Sequence, residues 1–108
     1  MRSCLFIESN DPFGDGDGDW YRRLAADLKA SGQQVSLFLV ENAVFAARKR
    51  AQGDFLSALR TATVEVRADE FALRERGIGV DELASGITAA PIDYIVEQMA
   101  AGASVMWR

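Results

Sequence analysis

The sequence predicts an α/β fold built on a small, mainly parallel sheet of four or five strands, with helices on both faces. Short apolar segments alternate along the chain with segments of helical periodicity, which is typical of this class. The first apolar segment, residues 3–7, opens into a loop rich in Gly and Asp, and a helix pattern begins at about Asp19. That pattern ends at Gly32, and a second apolar segment follows at residues 34–40. Together these segments predict a right-handed βαβ unit.

The remaining segments continue the alternation. Further strands are predicted at residues 63–66, 87–88 and 103–107. Further helices are predicted at residues 43–50, 55–60 and 69–76, and from Pro91 onward. We expect residues 1–108 to form a single domain, because this is a common length for one domain.

Apolar stripes on two helices predict how these helices pack. In the first helix we expect the stripe to face the core and Arg22 and Arg23 to lie outside. The members of that stripe are Trp20, Leu24, Ala25 and Leu28. The corresponding stripe of the last helix consists of Ile92, Ile95, Val96 and Met99.

Composition and charge exclude several classes of protein. The formal net charge is −4 and no long basic run is present, so we expect no nucleic-acid partner. The basic residues 48–50, with Arg60 nearby, are interpreted as a solvated helix face. There is no run of about 18 apolar residues and no signal-peptide pattern at the N-terminus. We therefore expect no membrane partner and a cytoplasmic location.

The sequence has one cysteine and no histidine, which limits the chemistry available. A single cysteine excludes an intrachain disulfide and fits a reducing compartment. Cys4 lies inside the first strand and is interpreted as a small buried side chain; the alternative is a reactive thiol, which needs exposure and a cationic neighbour. Without His the chain lacks the commonest general base and zinc ligand, so we expect neither an enzyme nor a cofactor.

The loop at residues 15–19 alternates Asp with Gly, as calcium-binding loops do. A calcium loop of the helix-loop-helix type needs Gly at its sixth position and Glu at its twelfth. Counted from Asp15, these positions hold Trp20 and Ala26. We therefore predict no metal site, and interpret the segment as a flexible acidic loop in which Asp19 caps the next helix.

Four polar residues are candidates for a ligand-binding site, because each follows or ends a predicted strand. They are Asn10, Asp11, Asn42 and Asp69. The carboxyl ends of parallel strands meet at one edge of a sheet, where ligands commonly bind. For the first three residues the alternative interpretation is turn chemistry, and for Asp69 it is a helix cap.

Three segments, in this order and spacing, resemble the DsrE/DsrF-like family, which includes the TusD-type sulfur-relay subunits. They are residues 5–14 with Asp-Pro-Phe-Gly, residues 32–44 with Gly-Gln-Gln-Val-Ser-Leu-Phe-Leu and Asn-Ala-Val, and residues 73–78 with Leu-Arg-Glu-Arg-Gly-Ile. The resemblance covers nearly the whole chain. It implies a small parallel sheet and a trimeric or hexameric homo-oligomer, and in many members a persulfide carried on a cysteine.

The resemblance places the carrier cysteine eight residues before Gly77, which is Asp69 in this chain, and a second cysteine at Ala72. Aspartate cannot carry a persulfide. We therefore expect a DsrE-like protein without its own carrier activity, acting as an oligomeric partner or assembly subunit beside a sulfur-relay protein. The alternative is a small-ligand-binding domain that uses the acidic loop after the first strand and Asp69. An enzyme of unknown reaction is a third hypothesis.

Overall fold

Five short strands form a parallel sheet in the part of the chain that the computed structural model describes, residues 3–13, 18–51 and 55–108. In chain order they are β1 (Ser3–Glu8), β2 (Gln34–Leu39), β3 (Glu65–Asp69), β4 (Ile87–Ala90) and β5 (Ser104–Trp107). They lie side by side in the order β4-β3-β2-β1-β5, and each neighbouring pair is parallel. The predicted fold class is confirmed.

Short helices connect these strands. The first connection is α1 (Gly18–Ala30), and the second contains the 3-10 helix Glu41–Ala47 and α2 (Ser57–Thr61). The third contains α3 (Glu70–Glu75) and the 3-10 helix Val80–Glu82, and the fourth contains α4 (Asp93–Ala100). None of the helices within the described ranges has the length and apolar character needed to cross a membrane.

The two faces of the sheet are covered very differently. One face, here called the first face, carries Phe6 and Leu37 and packs against α1, α2, α3 and the 3-10 helix Glu41–Ala47. The second face carries Ile7 and Phe38 and packs against α4. The reason is topological. Three successive connections step across the sheet in the same direction, whereas the last returns from β4 to β5, so right-handed crossovers place its helix on the opposite face.

The buried side of α1 differs from the predicted one. Trp20, expected in the core, is 55% exposed, whereas Arg22, expected outside, is only 5% exposed. Tyr21 and Arg22 turn inward because both have polar partners at the sheet: the Tyr21 hydroxyl binds backbone carbonyls, and Arg22 pairs with Glu8. Ala25 is buried as predicted, and Leu24 and Leu28 are half-buried.

The acidic loop before α1 is described only at its end, since Asp15 and Asp17 lie outside the described residues. Asp19 lies within the first turn of α1 instead of preceding the helix as its predicted cap. There it forms an exposed ion pair with Arg23, with 2.8 Å between Oδ2 and Nε. Negative charge at this helix end is favoured by the helix dipole.

The third strand begins later and ends later than predicted. Thr63 has a φ of 60°, which is incompatible with an extended strand, so β3 starts at Glu65. The strand continues to Asp69, which was predicted to begin a helix and is also the last residue of β3. Asp69 caps α3, which confirms its interpretation as a helix cap. The segment after β2 forms a 3-10 helix, Glu41–Ala47, in place of the predicted helix at residues 43–50.

The apolar stripe predicted for the last helix is mostly outside. Within α4 only Ile95 is buried, next to the half-buried Tyr94. The other members of the predicted stripe, Ile92, Val96 and Met99, are exposed. Among the described residues, α4 is the only helix that packs on the second face, and it contacts the sheet through one narrow side. The remaining apolar side chains of this helix therefore point away from the sheet. The consequence is an uncovered apolar surface on this side of the molecule.

Candidate functional site

The loops that follow the strands meet at the carboxyl edge of the sheet. The register aligns Glu8, the last residue of β1, with Leu39 of β2, and Leu39 with Ala68 of β3. Beyond the strands, the backbone N–H of Val40 donates to the carbonyl of Glu8 at 2.9 Å. The predicted meeting of the turns after the first three strands at one rim is confirmed.

A crevice opens where neighbouring strands send their loops to opposite faces. After β3 the chain continues into α3 on the first face, and after β4 it continues into α4 on the second face. Such switch points are where α/β sheets commonly bind ligands. A cleft of about 320 Å³ lies here, called the switch-point cleft. It is lined by Asp69, Glu70, Phe71, Arg74, Pro91 and Ile92.

Asp69 serves as the N-cap of α3. Its Oδ1 accepts a hydrogen bond from the backbone N–H of Phe71 at 3.4 Å, and its Oδ2 accepts one from Ala72 at 3.3 Å. The side chain is buried and the backbone of Asp69 is extended, as an N-cap requires. Both carboxylate oxygens therefore accept hydrogen bonds from helix donors, and each has a lone pair that can accept a further bond.

Asn42 lies in a neighbouring cleft of about 440 Å³ beside Arg76. Arg76 Nε donates to Asn42 Oδ1 at 2.9 Å, and a second nitrogen of Arg76 donates to the carbonyl of Ala72 at 3.2 Å. Glu41 Oε2 lies 3.6 Å from the third nitrogen. Phe71 lines both this cleft and the switch-point cleft, and its side chain is 59% exposed.

The structure does not gather the four predicted site residues into one pocket. Asn42 and Asp69 lie in adjacent clefts that share Phe71. Asn10 and Asp11 follow β1 and line neither of these two clefts. Asn10 is exposed, and Asp11 Oδ1 accepts a hydrogen bond from the backbone N–H of Phe13 at 2.9 Å, which is turn chemistry. A ligand role for these residues stays a prediction.

Aromatic and cation–π contacts join the loop after β1 to the segments that follow β2. The Phe13 ring contacts the Phe55 ring edge-to-face, with 5.0 Å between centroids. Arg48 places its guanidinium 5.9 Å from the Phe13 centroid and 5.1 Å from that of Phe45. Arg48, predicted to lie on a solvated face, thus ties this loop to the segment after β2.

The buried ion pair between Glu8 and Arg22 was not predicted from the sequence. The exposed fraction of Arg22 is 6% for its side chain, and that of Glu8 is 2%. In an analysis of helical periodicity, a charged residue such as Arg22 is assigned to the solvent-facing side of the helix. No local sequence pattern identifies Glu8, on another element, as its partner. The one available signal is a carboxylate that ends an otherwise apolar strand.

The Tyr21 hydroxyl joins the first and last strands at the same edge. It lies 3.0 Å from the Ile7 carbonyl oxygen and 2.6 Å from that of Met106, and donates its hydrogen between them. Burial raises the pKa of the Tyr21 phenol to about 12. Tyr21 is therefore a neutral hydrogen-bond donor over the physiological pH range and holds the edge together without contributing charge.

Comparisons with known proteins identify the fold. No family model matches the sequence, and no curated protein matches it. Among solved structures, the ychN protein of E. coli is similar over 100% of both chains, with a TM-score of 0.85 and 21% identity. MTH1491 of Methanobacterium thermoautotrophicum covers 100% of this chain and 99% of its own, with a TM-score of 0.81 and 18% identity.

A third structure, BT1422 of Bacteroides thetaiotaomicron, covers 96% of this chain and 93% of its own, with a TM-score of 0.72 and 16% identity. MTH1491 and BT1422 are both described as proteins of unknown function. At these identities the likeness establishes the fold alone. The chain has the DsrE/YchN-like fold.

Proposed function

We propose that this protein is a DsrE-like assembly subunit that associates with copies of itself and carries no persulfide of its own. The observation that carries the proposal is an exposed apolar surface on the second face, called the α4–β5 surface. It consists of Ile92, Val96, Met99, Val105 and Trp107. Large exposed apolar patches on soluble proteins commonly mark interaction sites.

Two elements contribute to the α4–β5 surface. Ile92, Val96 and Met99 recur at spacings of four and three residues, so they form one stripe on the outer side of α4. Val105 and Trp107 pair in register with Leu5 and Ile7, so their side chains project from the same second face of the sheet. Trp107 is 66% exposed, and tryptophan is among the residues that contribute most to protein interfaces.

The occupant we propose is a second copy of the chain. α4 packs on the sheet through little more than Ile95 and Tyr94, so an apolar partner would cover its outer side. β5 pairs with β1 on one side only, and its other edge has no paired strand among the described residues. The resemblance to the DsrE/DsrF-like family supports a trimer or hexamer. Because that family includes the TusD-type sulfur-relay subunits, the same resemblance suggests a sulfur-relay protein as a further partner.

The absence of carrier activity is supported by residue 69. The resemblance places the carrier cysteine there, and this chain has an aspartate whose carboxylate caps α3. The sole cysteine, Cys4, lies at the opposite end of the sheet, at the start of β1, and is half-buried. Its thiol donates to Gln33 Oε1 at 3.4 Å.

Native mass spectrometry and sedimentation of the full chain test the assembly. We expect an oligomer at micromolar concentration, and we expect Val96→Asp to convert it to a folded monomer because a charge would be buried at the interface. Val80→Asp is the matched control, since Val80 is equally exposed but lies on the 3-10 helix Val80–Glu82 between β3 and β4. A monomeric wild type, or a Val96→Asp variant that assembles normally, would contradict the proposal.

Incubation with a persulfide donor, followed by intact-mass analysis, tests the claim that the protein carries no persulfide of its own. We expect no stable addition of sulfur to the wild type and none to the Cys4→Ser variant. Stable addition to the wild type that disappears in Cys4→Ser would identify Cys4 as a carrier. That result would overturn the absence of carrier activity while leaving the assembly untouched.

The switch-point cleft favours a second candidate, a small-ligand-binding role that involves Asp69. A thermal-shift screen with nucleotides, divalent cations and small sulfur compounds tests it. Asp69→Asn keeps the helix cap but removes the charge, so a ligand held by the carboxylate would lose its effect in this variant. If none of the compounds raises the melting temperature of the wild type, this role is rejected.

A further inference from the structure

β5 lies at one edge of the sheet, and half of its backbone groups face away from its neighbour β1. Successive residues of a strand direct their N–H and C=O groups alternately to one side and to the other. Arg108, which follows β5, directs both groups to β1 and the residue after it: its N–H donates to the Ile7 carbonyl at 2.9 Å, and its carbonyl accepts from the Ser9 N–H at 2.8 Å. By this alternation, Val105 and Trp107 direct their N–H and C=O groups to the outer edge.

The outer edge of β5 has no strand beside it among the described residues. The backbone hydrogen bonds of the described loops and turns likewise include none to Val105 or Trp107. Such an edge presents a row of donors and acceptors with which a strand of another chain can pair. Within the described ranges, the outward N–H and C=O groups of β5 are therefore open to an intermolecular ladder.

The two edge strands of the sheet differ in how well they are protected from pairing. β4, at the other edge, is followed by Pro91, which has no N–H, and its first and last residues, Ile87 and Ala90, are buried. β5 has no buried residue, and its sequence contains neither a charge nor a proline. Charges and prolines are the residues with which natural proteins commonly prevent pairing at an edge strand. The edge at β5 is therefore the one suited to pairing with another chain.

The side chains of β5 are complementary to those of a second β5. Val105 and Trp107 lie on the second face of the sheet and are 36% and 66% exposed. Residues opposite each other in an antiparallel pair lie on the same face, so two β5 strands related by an axis at Met106 place Val105 opposite Trp107 in both directions. An aromatic side chain opposite a β-branched one is a favourable cross-strand pair. The strand thus matches a second copy of itself.

We propose that two copies of the chain pair their β5 strands antiparallel around a two-fold axis at Met106, which joins their sheets into one continuous sheet. The Val105 N–H of each copy would donate to the Trp107 carbonyl of the other, and the Trp107 N–H to the Val105 carbonyl. Strands this short do not hold two copies by themselves, so the inference rests on the proposed assembly through the α4–β5 surface. The two α4–β5 surfaces would then lie next to each other on one side of the joined sheet.

The two-fold axis constrains the number of copies in the assembly. An assembly in which every copy pairs its β5 in this way contains an even number of copies. Of the trimer and the hexamer that the family resemblance implies, only the hexamer satisfies this condition. Native mass spectrometry of the full chain should therefore give an even number of subunits. A trimer would overturn this inference and leave the proposed assembly intact.

Met106 allows a direct test by cross-linking, because at the axis it would lie opposite its own counterpart. In the Cys4→Ser background, Met106→Cys should form an intermolecular disulfide on mild oxidation, since the two Cα atoms would lie about 4.5 Å apart. Ser104→Cys in the same background is the matched control. Ser104 lies on the same face of β5 but two residues from the axis, so its two copies would be about 14 Å apart and should not cross-link. Non-reducing electrophoresis measures the fraction of cross-linked dimer.

Val105→Pro tests the backbone pairing itself. It removes an N–H that faces the outer edge, so it should raise the dissociation constant of the assembly at least about tenfold while the circular dichroism spectrum stays unchanged. Val105→Ala keeps this N–H and should weaken the assembly less. An oligomeric wild type whose Met106→Cys variant forms no disulfide, or whose Val105→Pro variant assembles normally, overturns this inference alone. A monomeric wild type overturns it together with the proposed assembly.

Discussion

Arg22 of α1 forms an ion pair with Glu8 of β1 inside the protein, where both side chains are almost completely removed from solvent. The guanidinium carbon of Arg22 also lies 5.8 Å from the centroid of the Phe55 ring. Removing two charges from water is unfavourable, and their mutual attraction offsets that cost only while both are present. The pair therefore connects the helix to the sheet edge in a way that tolerates replacement of both partners better than replacement of one.

We expect Arg22→Met to destabilise the fold by about 3–5 kcal/mol, because it removes the counter-charge of a buried carboxylate. The double variant Glu8→Leu with Arg22→Met should regain most of this loss, since neither charge is then buried. Urea denaturation measures both. Arg23→Met is the control: this exposed neighbour pairs with Asp19 on the surface and should change stability by no more than about 0.5 kcal/mol. A double variant as unstable as Arg22→Met would contradict the explanation.

The Tyr21 phenol predicts a loss of stability at high pH. Its pKa is about 12 in the folded protein and 10.0 ordinarily, so the unfolded chain releases this proton first. The contribution of the protonated Tyr21 phenol to the free energy of unfolding is therefore complete below pH 10 and is lost as the pH rises from 10 towards 12. The free energy of unfolding should fall by about 1.4 kcal/mol per pH unit in that window from this group alone.

Denaturation series at several alkaline pH values measure this effect. Tyr21→Phe should lack this component and should be less stable at neutral pH by about 1 kcal/mol, owing to the lost hydrogen bond. Tyr94→Phe removes the other tyrosine of the chain and should keep the alkaline loss. If Tyr21→Phe and Tyr94→Phe respond to pH in the same way, Tyr21 is not the group responsible.

Substitutions of Asp69 distinguish stabilisation by its capping hydrogen bonds from stabilisation by its negative charge. Asp69→Ala should destabilise the protein by about 1 kcal/mol, because two backbone donors of α3 lose their acceptor. Asp69→Asn retains a capping oxygen and should remain within a few tenths of a kcal/mol of the wild type. Thermal denaturation checks both. Equal destabilisation by Ala and Asn would indicate that the negative charge, and not the cap, is what stabilises this position.

The backbone at Thr63 predicts a stabilising substitution. Its φ of 60° lies in the left-handed region, which costs an ordinary residue about 1–2 kcal/mol. Asparagine tolerates this conformation, so Thr63→Asn should raise the free energy of unfolding by up to about 1 kcal/mol. Thr61→Asn, at the last residue of α2, should give no gain. A destabilised Thr63→Asn would mean that the hydrogen bond from Thr63 Oγ1 to the Ala62 carbonyl outweighs the strain.

Element order was largely predictable, whereas the orientation of individual elements was not. The segments that became β1 and β2 were identified because continuous apolar runs are a property of the local sequence. α1 was identified, but Trp20 and Arg22 were assigned to the wrong sides. Periodicity treats the arginine as outward, and only contact with Glu8 makes its burial favourable.

The candidate site, too, was predictable from the sequence only in part. Asn42 and Asp69 were correctly placed at the carboxyl edge, since parallel strands bring their ends together. Their separation into two clefts depends on Phe71 and on the Arg76 hydrogen bonds, which join residues 34 positions apart in the case of Asn42.

The sequence by itself determined that this protein is an alternating α/β chain with a small parallel sheet, because burial of apolar runs and helix periodicity act over a few residues. Only the tertiary structure decided that, of the helices in the described ranges, α4 is the one that packs on the second face, which leaves Val96 and Trp107 exposed. The physical reason is that the return from β4 to β5 places the short helix α4 on that face, and strand order is a property of the whole chain.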